Sequence, residues 1–435
     1  MSRLLQTGLN AGKDPLVKVV GGEGVRFILA DGRKVIDGST TGGPLGHRHP
    51  DMVEALHKAA ETPVINEGWF WAEREQAADD LIDIAFAGEG KWVGAVRFFL
   101  SGSEANDLAL TLSQALTGRT ALATRERAYH GMAGLARQMT VQPHWHGGLA
   151  VQGGGTRPVP NPVPVRVIPA PLGAKYGVID DKRPLAERLK RVEATLSDTA
   201  ATLIDYTQGG IYYDAAYQDF VARAARKAGS LWIADEVVTG LGRSGRWFAF
   251  QGGAERPDMV TLGKCLAGGS SPAGAVVLSQ ALVDELKDKS WQTYSTFRAH
   301  PVAVACIRAY LRVVKRDNLM ARARDMARKL EEGLVAIAQR HPSVARVDGF
   351  GLHWTIELHG PDWRDWYADT VEPPIASRVA ARALEAGAVI GTSGEETSLF
   401  LCPPMVTSDQ EIDELLQALD HGLELADREY ARAAA

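Results

Sequence analysis

The stretches L-W-I-A-D-E (231–236) and P-D-M-V-T-L-G-K (257–264) decide the fold. Each is a short, continuous apolar run closed by polar residues, too brief for a helix and without alternation. A strand buried on both faces reads this way. Working outward, runs of the same kind recur as A-V-R-F-F-L (95–100), T-A-L-A-T (120–124), T-L-I-D (202–205) and A-V-V-L (275–278), with helical stretches between them. This pattern predicts an α/β protein: a mostly parallel sheet covered on both faces by helices.

The flanks read differently. Residues 19–37 form short strands, with the D-G at 31–32 as a hairpin signal. A glycine-rich stretch, T-G-G-P-L-G-H-R-H-P (41–50), leads into a helix over 51–60. The Gly/Pro-rich insert 145–172 is too long for a plain connector and reads as an ordered lid or interface loop. One long helical pattern runs from 304 to 340, followed by strands near 344–358 and 398–401 and a last helix over 408–430, capped by Thr407 or Ser408. The expected division is a large domain over 51–303 and a smaller α+β domain over 304–435, which segment 1–50 joins.

The chain has 435 residues, 45% of them hydrophobic and 23% charged, enough to bury a large core. Its charge of 48 − 53 = −5 is not the basic footprint of a nucleic-acid binder. Three cysteines without C-x-x-C spacing suggest neither a disulfide framework nor a metal site. His144, Trp145 and His146 lack a third ligand nearby and read as loop, so no metal is expected. No apolar run is long enough for a membrane span or a leader, and a cytoplasmic protein is the expectation.

Three elements carry chemistry. Lys264 ends a buried strand, with apolar neighbours on both sides. A buried amine loses its proton more readily and becomes a nucleophile for aldehydes; the plainer reading is a loop lysine whose head reaches solvent. Asp235 ends the strand next in sequence, where α/β sheets bind ligands. A carboxylate there suits a protonated ring nitrogen, although a helix cap or Mg²⁺ ligand would look the same. The third element, S-G-S-E-A-N-D (101–107), opens a helix with the capping-box pair Ser101 and Glu104. Its bare N–H groups suit a phosphate, or merely mark a well-capped helix. An amine for an aldehyde, an acid for a ring nitrogen and a helix end for a phosphate together match pyridoxal 5′-phosphate.

With these residues in view, the sequence resembles the class III pyridoxal-phosphate aminotransferases of fold type I. The resemblance spans almost the whole chain: L-G-H-R-H-P (45–50), S-G-S-E-A-N (101–106), Y-H-G (129–131), D-E-V-V-T-G-L-G-R-S-G (235–245), P-D-M-V-T-L-G-K (257–264), S-T-F-R-A-H-P (295–301) and P-P-M (403–405). It implies that Lys264 forms the Schiff base and moves the proton, while Asp235 pairs with the ring nitrogen. It further implies that Gly102 and Ser103 hold the phosphate, and that Tyr129 and Val237 cover the two ring faces. Thr296 would reach the phosphate of a neighbouring subunit, which implies a homodimer with shared sites.

Three departures bear on substrate. Asp205 stands where the family has Glu, Val238 where it has Gln, and Phe400 where it has the arginine that grips a substrate carboxylate. A phenyl ring forms no bidentate pair with a carboxylate. Loss of that arginine, together with a shortened acid partner at 205, suggests a more apolar pocket. Trp69 and Trp71 fall where the resemblance places substrate contacts, or else they pack at an interface. Arg298 is the candidate anchor for a keto-acid carboxylate, with Arg48 and Arg243 as alternatives. The expected activity is ping-pong transfer from a bulky or carboxylate-poor amine donor to a keto acid or aldehyde. A racemase, aminomutase or decarboxylating transaminase is the alternative, and a non-catalytic protein of the same fold the remoter one.

Overall fold

The computed structural model describes residues 17–142, 147–150, 156–157, 159–171, 173–177, 184–359, 373–392 and 397–434. His144, Trp145 and His146 therefore lie outside the described residues. Three N-terminal strands, β1 (Val19–Glu23), β2 (Arg26–Leu29) and β3 (Lys34–Asp37), form a meander whose D-G turn places Gly32 at φ 86°. The central sheet is built from β4 (Val93–Phe99), β5 (Ala121–Arg125), β6 (Val165–Ile168), β7 (Thr199–Asp205), β8 (Leu231–Asp235), β9 (Met259–Leu262) and β10 (Gly274–Ser279). Its order is β4-β10-β9-β8-β7-β5-β6, and all neighbours are parallel except the two pairs that β10 makes.

Alternation along β8 shows why the run reads as continuously apolar. Ile233 faces one core, with Leu203, Met259 and Val276 and with Ala109 and Leu112 of α2 (Gly102–Thr117). Trp232 and Ala234 face the other, with Val221 and Ala225 of α4 (Ala215–Ala228). Helix α1 (Pro50–Ala60) begins one residue before its expected start, and α3 (Leu185–Leu196) lies on the α4 side.

A second antiparallel sheet forms from β11 (Val344–Phe350), β12 (His353–Leu358), β14 (Gly391–Thr392) and β15 (Ser398–Leu401). The short β13 (Ala388–Val389) pairs with β3, tying the N-terminal meander to the C-terminal part of the chain. The helical pattern of 304–340 is two helices, α5 (Pro301–Arg316) and α6 (Leu319–Arg340). They break at Asn318, whose φ of 49° takes the left-handed conformation that Asn tolerates. Helix α7 (Ile375–Glu385) packs on α8 (Asp409–Ala434), which starts after Ser408, the residue whose hydroxyl accepts from Glu411 N at 3.2 Å. Strand β6 went unread because it lies inside the Gly/Pro-rich insert. Among the described residues, no helix is long and apolar enough to cross a membrane.

Strand β10 passes tightly over the start of α2. A β-carbon at Gly274 would lie 2.2 Å from the carbonyl oxygen of Ser101, a backbone atom that cannot swing away. Gly274→Ala is therefore expected to lower the unfolding free energy by roughly 2–4 kcal/mol, read from the denaturant midpoint.

Candidate active site

The carboxyl ends of β7, β8 and β9 converge on a cavity of about 250 Å³. Asp235 and Lys264 both line it, together with Gly102, Ser103, Tyr129 and Val237. The six sequence-predicted residues that were to surround one ring thus share one cavity. In the register of the sheet, Asp235 sits beside Asp205 on β7 and Thr261 on β9.

Asp235 is nearly inaccessible, and three protein hydrogen bonds hold its carboxylate at the cavity wall. Oδ2 accepts from Asn106 Nδ2 at 2.8 Å and from His130 Nδ1 at 2.7 Å, and Oδ1 accepts from Val237 N at 3.0 Å. Asn106 is itself fixed by the Thr261 hydroxyl at 2.5 Å, and His130 Nε2 lies 2.9 Å from Thr124 Oγ1. Burying a carboxylate unpaired would cost several kcal/mol, and this network offsets that cost while aiming the group. Sequence reading missed Asn106 and His130 as functional residues. Their signal was membership of the stretches S-G-S-E-A-N and Y-H-G.

Lys264 follows Gly263 at the end of β9 and has φ 38°, in the left-handed region that costs a non-glycine residue roughly 1 kcal/mol. Burial pushes its amine below the usual lysine range, with the negative charge of Asp235 acting in the opposite direction. Helix α2 opens at the same cavity. Ser101 Oγ accepts from Glu104 N at 3.2 Å, while Glu104 reaches back to Leu100 N at 2.7 Å, one residue beyond the expected box partner. The N–H groups of Gly102 and Ser103 belong to the first turn, which has no acceptors of its own. Chain approach here is close: a β-carbon on Gly102 would meet Val237 Cγ2 at 2.6 Å, and one on Gly131 would meet Ser103 Oγ at 2.2 Å. Tyr129 keeps its phenol proton firmly, first through burial and then through Asp235. A slot with an acid at one wall, an amine at another and a bare helix end fits pyridoxal 5′-phosphate.

The remaining predicted residues lie outside this cavity wall. Thr296 and Trp69 are exposed, and half-buried Trp71 packs against the core with the Arg74 guanidinium 5.8 Å from its ring. Arg298 is buried, bonded through Nη1 to Glu67 Oε1 at 2.6 Å and lying 4.8 Å from the Phe99 ring centroid. Arg243 clamps the carbonyls of Pro403 at 2.6 Å and Thr40 at 3.1 Å, which makes it a strut between segments. Half-buried Phe400 stands on β15, stacked on His353 at 5.8 Å and 5°.

Asp205, the shortened acid, is paired elsewhere than with position 400. Its Oδ1 takes the Arg125 guanidinium, Gln208 N at 3.0 Å and Thr207 N at 3.3 Å, and Arg125 also donates to the Asp205 carbonyl at 3.0 Å. The carboxylate stays at its own strand end, where the arginine of the adjacent β5 meets it.

Glu236, next to Asp235, is buried. Its carboxylate accepts from the Thr239 hydroxyl at 2.5 Å and from Phe250 N at 2.8 Å. Burial pushes it up to about 7 from an ordinary 4.5. The carboxyl is thus most stabilising while protonated, and that contribution is lost as pH rises from about 4.5 to about 7. Glu236→Gln is expected to flatten the fall of melting temperature across this window and to melt higher than the parent above pH ~7. Equal slopes in the two proteins would contradict this.

Among the described residues, no group of His, Cys, Asp or Glu gathers to hold a metal ion. Comparison with known proteins gives a consistent answer. The family model for aminotransferase class-III matches residues 9–423. An acetylornithine aminotransferase of Mycolicibacterium smegmatis is 32% identical, over 96% of this chain and 96% of that one. The structure of an S-selective transaminase from Arthrobacter sp. with alanine bound superposes with a TM-score of 0.88 at 26% identity, covering 98% of this chain and 96% of that one. A phospholyase from Arthrobacter in complex with phosphoethanolamine gives 0.80 at 27% identity, covering 95% of each.

Proposed function

The chain belongs to the class-III aminotransferases, enzymes that depend on pyridoxal 5′-phosphate, and from that premise we propose that its amine donor is bulky or carboxylate-poor and its acceptor a keto acid or aldehyde. When bound, the cofactor supplies an electron-withdrawing ring that takes up the electron pair of the broken C–H bond. The residues do the rest. Lys264, its amine made readily neutral by burial, would hold the cofactor through its aldehyde and carry the proton. Asp235, locked by Asn106 and His130, holds a proton on the ring nitrogen. Gly102 and Ser103 take the phosphate at the helix end, while Tyr129 and Val237 confine the ring between them.

The observation that carries the donor reading is Phe400 at the carboxylate-gripping position, with the acid that might have served a cation there already committed to Arg125. Arg298 is the proposed anchor for an acceptor carboxylate, because its Nε and Nη2 are buried without a partner among the described residues. A homodimer is part of the reading. Exposed Thr296 would reach the partner's phosphate, and the strongly exposed Trp69, Phe70, Tyr294 and Phe297 supply an apolar surface to cover.

Borohydride treatment of the holoenzyme is expected to fix the cofactor on the peptide that contains Lys264; an unlabelled lysine sinks the catalytic assignment. A screen of amine donors against pyruvate and 2-oxoglutarate, scoring keto product and released phosphate, separates transfer from racemisation and from phospho-elimination. Aryl- and alkylamines are expected to turn over faster than simple α-amino acids. Phe400→Arg is expected to raise kcat/KM for α-amino acids by roughly tenfold, the worth of one charge-assisted pair. No rise would remove the substrate reading.

A further inference from the structure

Phe400 does not stand alone on its sheet. In the register of β12, β14 and β15 it lies opposite Thr355 on one side and Gly391 on the other. The glycine is there for the ring: a β-carbon at Gly391 would fall 2.2 Å from Phe400 Cε1. One face of the ring is occupied by the His353 imidazole, parallel within 5° at 5.8 Å. His353 is buried and is held in turn by Tyr212, whose hydroxyl lies 2.8 Å from Nδ1 and 2.7 Å from Thr355 Oγ1. The chain runs in one direction when Thr355 donates to Tyr212 and Tyr212 donates to His353 Nδ1, which places the imidazole proton on Nε2.

Two further facts define the character of this stack. Burial pushes His353 down to about 3, with the charges of Arg243 and Lys264 acting the same way, so the ring is neutral and lies within electrostatic reach of the catalytic amine. The guanidinium on the same sheet face, Arg346, bonds Glu357 through Nε at 3.1 Å and Nη2 at 2.6 Å, and its Nη1 faces Asp348 at 3.7 Å, so two acids balance its charge. A carboxylate meeting this wall finds a phenyl ring and a guanidinium already balanced by two acids, whereas a flat or branched uncharged group finds a ring that cannot turn away.

We propose that His353 is a positioning residue that holds Phe400 as a neutral recognition wall, and that the wall selects amines carrying an uncharged aromatic or alkyl substituent. The inference rests on the donor reading above and names the part of the molecule that enforces it. Without the imidazole behind it, Phe400 would share its time among rotamers, and the loss would fall on donor binding rather than on proton transfer.

The test compares 1-phenylethylamine with alanine as donors for the holoenzyme. His353→Asn keeps a group able to bond Tyr212 but removes the stack. His353→Phe keeps the stack but removes the bond. The asparagine variant is expected to lower the kcat/KM ratio of phenylethylamine to alanine by roughly fivefold, mainly through KM, and the phenylalanine variant by less than about twofold. Gly391→Ala pushes the Phe400 ring away without touching His353 and is expected to lower the same ratio, which keeps the test decisive should the asparagine variant fold poorly. Equal losses for both donors in every variant mean a purely structural histidine and overturn the inference. A parent enzyme with no preference for the aromatic amine overturns the donor reading itself. A parent that prefers it, with the ratio lowered by Gly391→Ala but kept by His353→Asn, overturns only the role of His353.

Discussion

A carboxylate buried at the end of a strand has to be satisfied by the protein before it can act, and much of the site follows from that demand. Asp235 takes hydrogen bonds from Asn106 on α2, from His130 beyond β5 and from the backbone of Val237. These groups come from three separated parts of the chain. The parallel sheet is what places them together, since strand ends and helix starts meet along one edge. Because the donors are themselves fixed by Thr261 and Thr124, the acid is aimed before any ligand arrives.

The second carboxylate along that edge behaves differently. Asp205 lies beside Asp235 in register, yet it is neutralised by Arg125 from the next strand. Asp235 lines the cavity with Lys264. Glu236 adds a third acid, turned inward onto Thr239 and Phe250 N, where it fastens the loop bearing Val237 and Val238 to the turn at Ala249–Gly252. The three carboxylates differ in role because their surroundings differ, not their chemistry.

On the donor reading proposed above, shape counts for more than charge on the substrate side. Phe400, His353 and Tyr212 join the C-terminal sheet to the segment that follows β7, so the wall is shared between two parts of the fold. A wall built in this way is rigid without an ion pair, and it avoids the desolvation that a buried arginine and glutamate would incur.

Much of this was legible along the chain. Continuous apolar runs announced the buried strands, often to within a residue or two at each end, because strands covered on both faces leave no polar alternation. Lys264, Asp235 and the helix start at Ser101 could be picked out because strand ends and capped helices carry local signatures. What the chain could not disclose were the pairings made across distance. Asp205 found Arg125 because β5 and β7 are neighbours in space, a fact that no spacing in sequence records. The break at Asn318 was hidden by unbroken helical periodicity on either side of it. Asn106, His130 and His353 gained their roles from the side chains that folding brought against them. Local propensity and periodicity write the elements into the sequence, while electrostatic partnership and stacking depend on coordinates that exist only once the layers have closed.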